Sequence, residues 1–158
     1  MAAAARKTGG RRRGGHTQAD LAQADLAQAD YERLAEFRYL LRRFLVFSED
    51  AAEKAGLTAQ QHQALLAIKG HRGLQLLTTG ALAERLAVRP HSAVGLIDRL
   101  EAKGLIRRCG ASGDRRQVLI ESTREAENLL RCLSVAHRDE LKRLAPLLRT
   151  LLEAFDRG

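Results

Sequence analysis

Residues 89–116 read RPHSAVGLIDRLEAKGLIRRCGASGDRR, and this stretch decides the fold. Pro90 suits the first turn of a helix, because its missing N–H falls among the donors that have no partner there anyway. Ala93, Leu96, Ile97 and Leu100 then recur at three- and four-residue spacing, which predicts one apolar face, and Gly104 closes the helix. Beyond it lie two short runs, Leu105 to Cys109 and Gln117 to Glu121, separated by a Gly-rich segment that favours turns over helix. The spacing predicts a helix followed at once by a β-hairpin.

The hairpin and its helix are basic. Between 89 and 116 seven bases (Arg89, Arg99, Lys103, Arg107, Arg108, Arg115, Arg116) outnumber three acids (Asp98, Glu101, Asp114), a local charge of +4. The whole chain carries +8, of which +5 comes from Arg6, Lys7, Arg11, Arg12 and Arg13 near the N-terminus. Location therefore says more than total charge about where a polyanion would bind.

Working outward, Leu34, Phe37, Leu41, Phe44 and Leu45 predict an amphipathic helix from Tyr31 to about Ala55, stopping at Gly56. Thr58 and Gln61 have capping-box spacing, predicting a second helix that ends near Gly70. Thr79 or Gly80 opens a third, short helix through Leu82, Leu86 and Ala87. After the hairpin, Ser122 and Glu125 repeat the capping-box spacing ahead of a long leucine-bearing helix, and Pro146 is expected to break it and open a last one. The predicted order is four helices, a hairpin and two more helices.

The N-terminal residues 1–30 read differently. A Gly-, Ala- and Arg-rich tail cannot bury a core, and the five-residue repeat QADLA, with Leu21 and Leu26, does not match a helical stripe. The repeat is expected to lengthen the helix that follows and receives no function. The 158 residues contain 45% hydrophobic but only 4% aromatic residues, with no Trp, favouring helices packed through aliphatic side chains. No run is long and apolar enough for a membrane span and no secretory leader is apparent, so a soluble, cytoplasmic and nucleoid-associated protein is expected.

Two short helices joined by a tight turn, the second followed by a basic hairpin, form a winged helix-turn-helix. The second helix has the shape to enter the major groove, about 12 Å wide, while the hairpin tip reaches phosphate or the minor groove. Opposite the apolar face lie His91, Val94, Gly95 and Asp98, with Arg89 and Ser92 at the N-terminal edge, where the helix dipole favours phosphate. The candidate DNA-binding residues are Arg89, His91, Ser92, Val94, Gly95, Arg107, Arg108, Arg115 and Arg116, with Asp98 and Asp114 expected to orient wing arginines.

On TTGALAERLAVRPHSAVGLIDRLEAKGLIRR followed by GDRRQVLIEST, the chain resembles the MarR family of bacterial transcription regulators, from roughly Tyr31 to the C-terminus. The Asp114-Arg115-Arg116 tip is the most specific element of that resemblance. It implies a mainly α fold with a small β-hairpin wing, dimerising through its N- and C-terminal helices. In residue terms it implies a tail over 1–30 and a MarR-like domain over 31–158, in which 57–121 form the winged lobe and 31–56 with 122–158 the dimerisation helices. It further implies a homodimer on a pseudo-palindromic operator of double-stranded DNA, usually a repressor. A small aromatic or phenolic ligand, often an acid, would act between the first, second and fifth helices and the winged lobe. Two departures stand out: Arg89 occupies the place of a Ser, Thr or Asp cap, and Gly95 that of a polar or basic side chain. No Cys occurs between Tyr31 and Ala55, which disfavours the peroxide-sensing branch of the family.

Other chemistry finds little support. His62, His71 and His137 lack metal-ligand spacing and are read as solvated, and no metal or cofactor is expected. Cys109 and Cys132 are read as half-buried free thiols. No phosphate loop, paired carboxylates or nucleophile-base motif points to an enzyme. The rival reading is a nonspecific DNA-binding architectural or adaptor protein that uses its basic tail.

Overall fold

In the computed structural model, residues 28–72, 76–110 and 118–156 are described. Helix α1 (Gln28–Lys54) is followed by α2 (Ala59–Lys69), β1 (Leu77–Thr78), α3 (Thr79–Leu86), α4 (Pro90–Ala102), β2 (Ile106–Gly110), β3 (Val118–Ser122) and α5 (Arg124–Asp156). The tail, most of the QADLA repeat and the Asp114-Arg115-Arg116 tip lie outside the described residues. The last Gln-Ala-Asp unit, Gln28 to Asp30, is helical and extends α1 as anticipated.

Local signals set most boundaries. Gly56, at φ +76°, takes the left-handed conformation that ends α1 at little steric cost. Thr58 accepts from the Gln61 N–H at 3.2 Å while the Gln61 side chain accepts from the Thr58 N–H at 3.0 Å, so the capping box is complete. Thr78 Oγ1 accepts from the Ala81 N–H at 3.2 Å and caps α3. Pro90 is in the first turn of α4, whose buried side chains are Ala93, Leu96, Ile97 and Leu100, the face anticipated from spacing. Gly104, at φ +68°, turns the chain from α4 into β2.

The hairpin pairs antiparallel, from Ile106 opposite Ser122 to Gly110 opposite Val118. A further strand, β1, joins the other edge of β3 with Leu77 opposite Ile120, giving the order β1-β3-β2. Two residues are too few to carry an alternating pattern, so β1 had no sequence signature; Leu77 is drawn in because its side chain packs with buried Ile120. One core then unites α2, α3, α4, the sheet and the start of α5 through Leu65, Leu82, Ile97, Leu100, Ile106 and Ile120.

Two expectations for the C-terminal part are corrected. Ser122 does not cap a helix, because it is paired in β3 opposite Ile106. Thr123 sits at that end instead, its Oγ1 accepting from the Ala126 N–H at 3.3 Å and donating to the Gly104 carbonyl at 2.8 Å. Nor does Pro146 break the chain into two helices: α5 runs 33 residues with Pro146 inside it. An interior proline forfeits one backbone hydrogen bond and costs about 3 kcal/mol. Here the stripe Leu144, Leu148, Leu151 and Phe155 stays buried or half-buried on both sides of it, so packing holds the helical path. Pro146 and Lys142, whose carbonyl loses its helical partner, are both exposed residues. Helices α1 and α5 pack against each other as an arm, with Leu40 and Leu144 buried along it.

Candidate nucleic-acid interface and adjoining cavity

With Ala93, Leu96, Ile97 and Leu100 buried, α4 presents His91, Ser92, Val94 and Asp98 as exposed side chains, with Gly95 half-buried among them. Arg89 occupies the N-cap position without a side-chain cap bond, so its guanidinium stays exposed at the positive end of the helix. A Cβ on Gly95 would meet an Arg99 guanidinium nitrogen at 3.6 Å, so Arg99 reaches back over the gap Gly95 leaves. Arg99 was not among the candidate DNA contacts; its i+4 spacing from Gly95 was the available signal. Neither Arg89 nor Arg99 has an ion pair among the described residues.

The strand arginines are held, each to a different side, as alternation along β2 requires. Arg107 donates to Glu121, directly opposite on β3, at 2.7 Å. Arg108 bridges back to α4, donating to both Asp98 and Glu101. These hydrogen bonds, with Asp98 the strongest influence, hold the Arg108 guanidinium further above its ordinary range. Asp98 holds Arg108 on β2, whereas the sequence had pointed to it as a partner for Arg115 or Arg116. Asp114, Arg115 and Arg116 lie outside the described residues.

The paired arrangement gives Arg108 a second task, because it neutralises two carboxylates that flank the exposed side of α4. On the reading of α4 as a DNA-facing helix, replacing Arg108 with Ala is expected to weaken binding by about tenfold or more, since two anions then face phosphate within a Debye length. Adding Asp98→Asn and Glu101→Gln to Arg108→Ala should recover most of that loss in a gel-shift titration. No recovery would mean that Arg108 acts by touching DNA rather than by masking the acids.

Side chains of α1, α2 and α5 line an open cavity of about 500 Å³. Its walls include Phe44 from α1, His62 and Leu66 from α2, and His137, Leu141 and Ala145 from α5, with Arg138 and Lys142 also on its lining. The expected solvated histidines are corrected here: His62 is 1% exposed and His137 9%. His137 Nδ1 lies 2.7 Å from the Leu133 carbonyl, which can only accept, so that nitrogen carries the hydrogen. Its Nε2 lies 2.8 Å from Ser48 Oγ and, in the neutral ring, accepts from the serine hydroxyl. Phe44 and Phe47 meet the His137 ring edge-on, at 5.9 and 5.4 Å between centroids.

His62 is tilted against His137, with ring centroids 4.7 Å apart, and neither of its nitrogens has a hydrogen-bond partner. Burial, and secondarily the neighbouring His137, push its pKa down to about 4. The unfolded chain takes up this proton near 6.5, the folded one only near 4, so between those values unfolding is favoured by each step of acidification. His62 is expected to cost about 1–3 kcal/mol of stability between pH 7 and 4.5. His62→Leu should remove that loss, read from urea unfolding at the two pH values; equal losses in both proteins would show that His62 does not titrate with folding.

Among the described residues no group of His, Cys, Asp and Glu is arranged to hold a metal. His71 is half-buried with Nδ1 unpartnered, also a departure from the solvated reading. Cys109 is half-buried as expected and lies 3.9 Å from Glu121, whereas Cys132 is exposed, a correction that follows from its place on the outer side of α5. No helix among the described residues is long and apolar enough to cross a membrane.

Comparison with known proteins converges on this geometry. A sequence model of the MarR family matches residues 55–117, which run from the end of α1 through β2 and stop short of β3. The HTH-type transcriptional regulator YfiV of Bacillus subtilis (strain 168) is 30% identical over 95 residues, 60% of this chain and 58% of that protein. The HTH-type transcriptional repressor MdtR of the same organism is 35% identical over 78 residues, 49% of this chain and 48% of that protein. The chain thus spans about half the length of the curated relatives it matches. The Staphylococcus aureus MepR–DNA complex superposes with a TM-score of 0.57 at 21% identity, covering 78% of this chain and 98% of that one. NadR, solved with 4-hydroxyphenylacetate, superposes with a TM-score of 0.60 at 24% identity, covering 85% and 92%. The fold is that of the MarR-family winged helix proteins, as the sequence resemblance implied.

Proposed function

We propose that this chain, which matches a MarR-family model over residues 55–117, is a homodimeric transcription regulator of that family that reads a pseudo-palindromic operator in double-stranded DNA, acts as a repressor, and responds to a small aromatic or phenolic ligand. The observation that carries this reading is α4: one face is locked in the core, and the other leaves His91, Ser92, Val94 and Gly95 accessible beside exposed Arg89. His91 and Ser92 meet base edges, while Arg89 and the wing arginines Arg107, Arg115 and Arg116 lie along phosphate or in the minor groove and Arg108 masks Asp98 and Glu101. The MepR–DNA complex supports the partner and NadR the ligand class. The nonspecific alternative, resting on the tail, is not favoured, because the matched residues span the helix-turn-helix and the first wing strand and exclude the tail. The regulators that the chain matches support reading it as a non-enzyme.

Dimerisation through α1 and α5 is supported by apolar side chains that one copy leaves exposed, among them Leu34, Leu41 and Leu45 on α1 and Leu147 and Leu152 on α5. Pairing two copies would remove that surface from water. On this reading 31–56 and 122–158 form the dimerisation helices and 57–121 the DNA lobe. Sequencing fragments retained from random DNA by the purified protein is the direct test. Enrichment of a two-fold symmetric site with half-sites about one helical turn apart is expected; retention without sequence preference would overturn the proposal.

A further inference from the structure

Resting on the reading of α4 as the DNA-facing helix, we propose that Arg99 determines sequence specificity: its guanidinium lies across the gap left by Gly95 and reads a guanine in the major groove of each half-site.

Arg99 stands one helical turn beyond Gly95, and helical side chains lean toward the N-terminus, over the turn that precedes them. Its guanidinium follows that direction and brings one nitrogen to 3.6 Å from the point that a Cβ on Gly95 would occupy. At about 100° per residue, Gly95 falls nearly opposite the buried stripe of Ala93, Leu96, Ile97 and Leu100. The middle of the exposed side of α4 is therefore bare backbone, which can approach base edges closely, with a guanidinium laid over it.

Arg99 is free for this task because its acidic neighbours are taken. Asp98 and Glu101 both hold Arg108, and the same helical step puts them on the other side of Gly95 from Arg99. The residues three and four positions from Arg99 are Gly95, Leu96, Ala102 and Lys103, none of them an acid. Lys103 is itself tied, donating to the Gly56 carbonyl at 2.7 Å. Among the described residues Arg99 has no ion pair and no side-chain hydrogen bond, so its five donors are available to a ligand.

Placement along the helix favours a base over a phosphate. The guanidinium lies over the sixth residue counted from Pro90 in a helix of 13, within the N-terminal half from which recognition helices contact base edges. Guanine presents two acceptors there, N7 and O6, which match two guanidinium N–H groups. Adenine sets an amino donor beside its N7, and a guanidinium has no acceptor to meet it. The side chain that Gly95 lacks is thus supplied from one turn further along.

The test uses the full chain and the operator recovered from random DNA. Each G·C pair of a half-site is replaced in turn by A·T, and the affinities of the parent protein, Arg99→Lys and Gly95→Leu are compared by gel shift at one salt concentration. One replacement should weaken the parent protein about 5- to 150-fold, the range for a good bidentate pair. Arg99→Lys keeps the charge but not the planar fork, and should lose most of that discrimination. Gly95→Leu puts a better helix former at this position and fills the gap, so it should lose discrimination at the same base pair, read as a ratio of affinities that weaker overall binding does not alter. Arg99→Lys with the parent's discrimination at every pair, whatever its affinity, would assign Arg99 to phosphate and overturn the proposal. So would a guanine preference retained in Gly95→Leu. A parent protein that selects no sequence would overturn the operator reading and this proposal together, an outcome distinct from intact selection with unchanged variants.

Discussion

Replacing Leu100 with Ala is expected to lower the unfolding free energy by about 2–5 kcal/mol, the range for emptying a fully buried leucine site. Leu100 is completely buried and belongs to the cluster that joins α4 to α2, α3 and the sheet, so neighbouring backbone can collapse into the gap only in part. Domains of this kind are stable by only about 5–15 kcal/mol, so the loss reaches function by depopulating the folded lobe. Urea unfolding followed by circular dichroism should show a lower midpoint with an unchanged slope. Val94→Ala, on the exposed side of the same helix, should change stability by less than about 0.5 kcal/mol while altering operator discrimination. A loss below 1 kcal/mol for Leu100→Ala, against that roughly 2–5 kcal/mol expectation, would mean that α4 is not anchored through this side chain.

Five base pairs inserted between the two half-sites of the selected operator are expected to weaken binding about a hundredfold or more. That insertion turns one half-site by roughly half a helical turn, so that its major groove faces away from the second lobe. The size of the effect depends on how stiffly the lobes are tied. Helix α5 is unbroken over 33 residues, a length of about 50 Å at 1.5 Å per residue, and begins inside the lobe core with Ala126, Leu130 and Leu133 before reaching the arm. A rotation of one lobe relative to the other would therefore have to repack buried side chains. Gel-shift titration of the two operators at one salt concentration decides the matter: equal affinity would show that the lobes bind independently, and the rigid-arm account would fail.

The parts of this fold that could be read from sequence are those whose physics is local. The Thr58/Gln61 capping box, Pro90 in the first turn of α4, the stripe Ala93, Leu96, Ile97 and Leu100, and the turn at Gly104 each act within a few residues of backbone. The two hairpin strands were likewise legible within a residue of their ends. The exposed side of α4 followed directly, because fixing one face of a helix fixes the other. His62 and His137 show where local reading stopped too soon. His62 precedes Leu65 and Leu66 by three and four residues, and His137 lies midway between Leu133 and Leu141, so both stand on apolar stripes. The metal-spacing question passed over that placement, which alone argued for burial.

From the sequence alone came the helix order up to the hairpin, the winged helix-turn-helix, the candidate DNA-facing side chains and the family resemblance, all encoded at short range. Tertiary structure decided what depends on partners distant in the chain. Strand β1 exists because β3 offers it an edge and Ile120 a place to pack. Ser122 is taken from a helix cap by its ladder partner Ile106, and Pro146 is carried within α5 by a stripe that remains buried or half-buried on either side. Arg108 is turned onto Asp98 and Glu101 by the hairpin folding back against α4, which no count of bases and acids could reveal. The pairing of His62 with His137 joins residues 75 positions apart, by subtraction of their numbers, on two different helices. Only when α2 packs against α5 does an ordinary histidine become a buried ring with no partner of its own, facing a cavity.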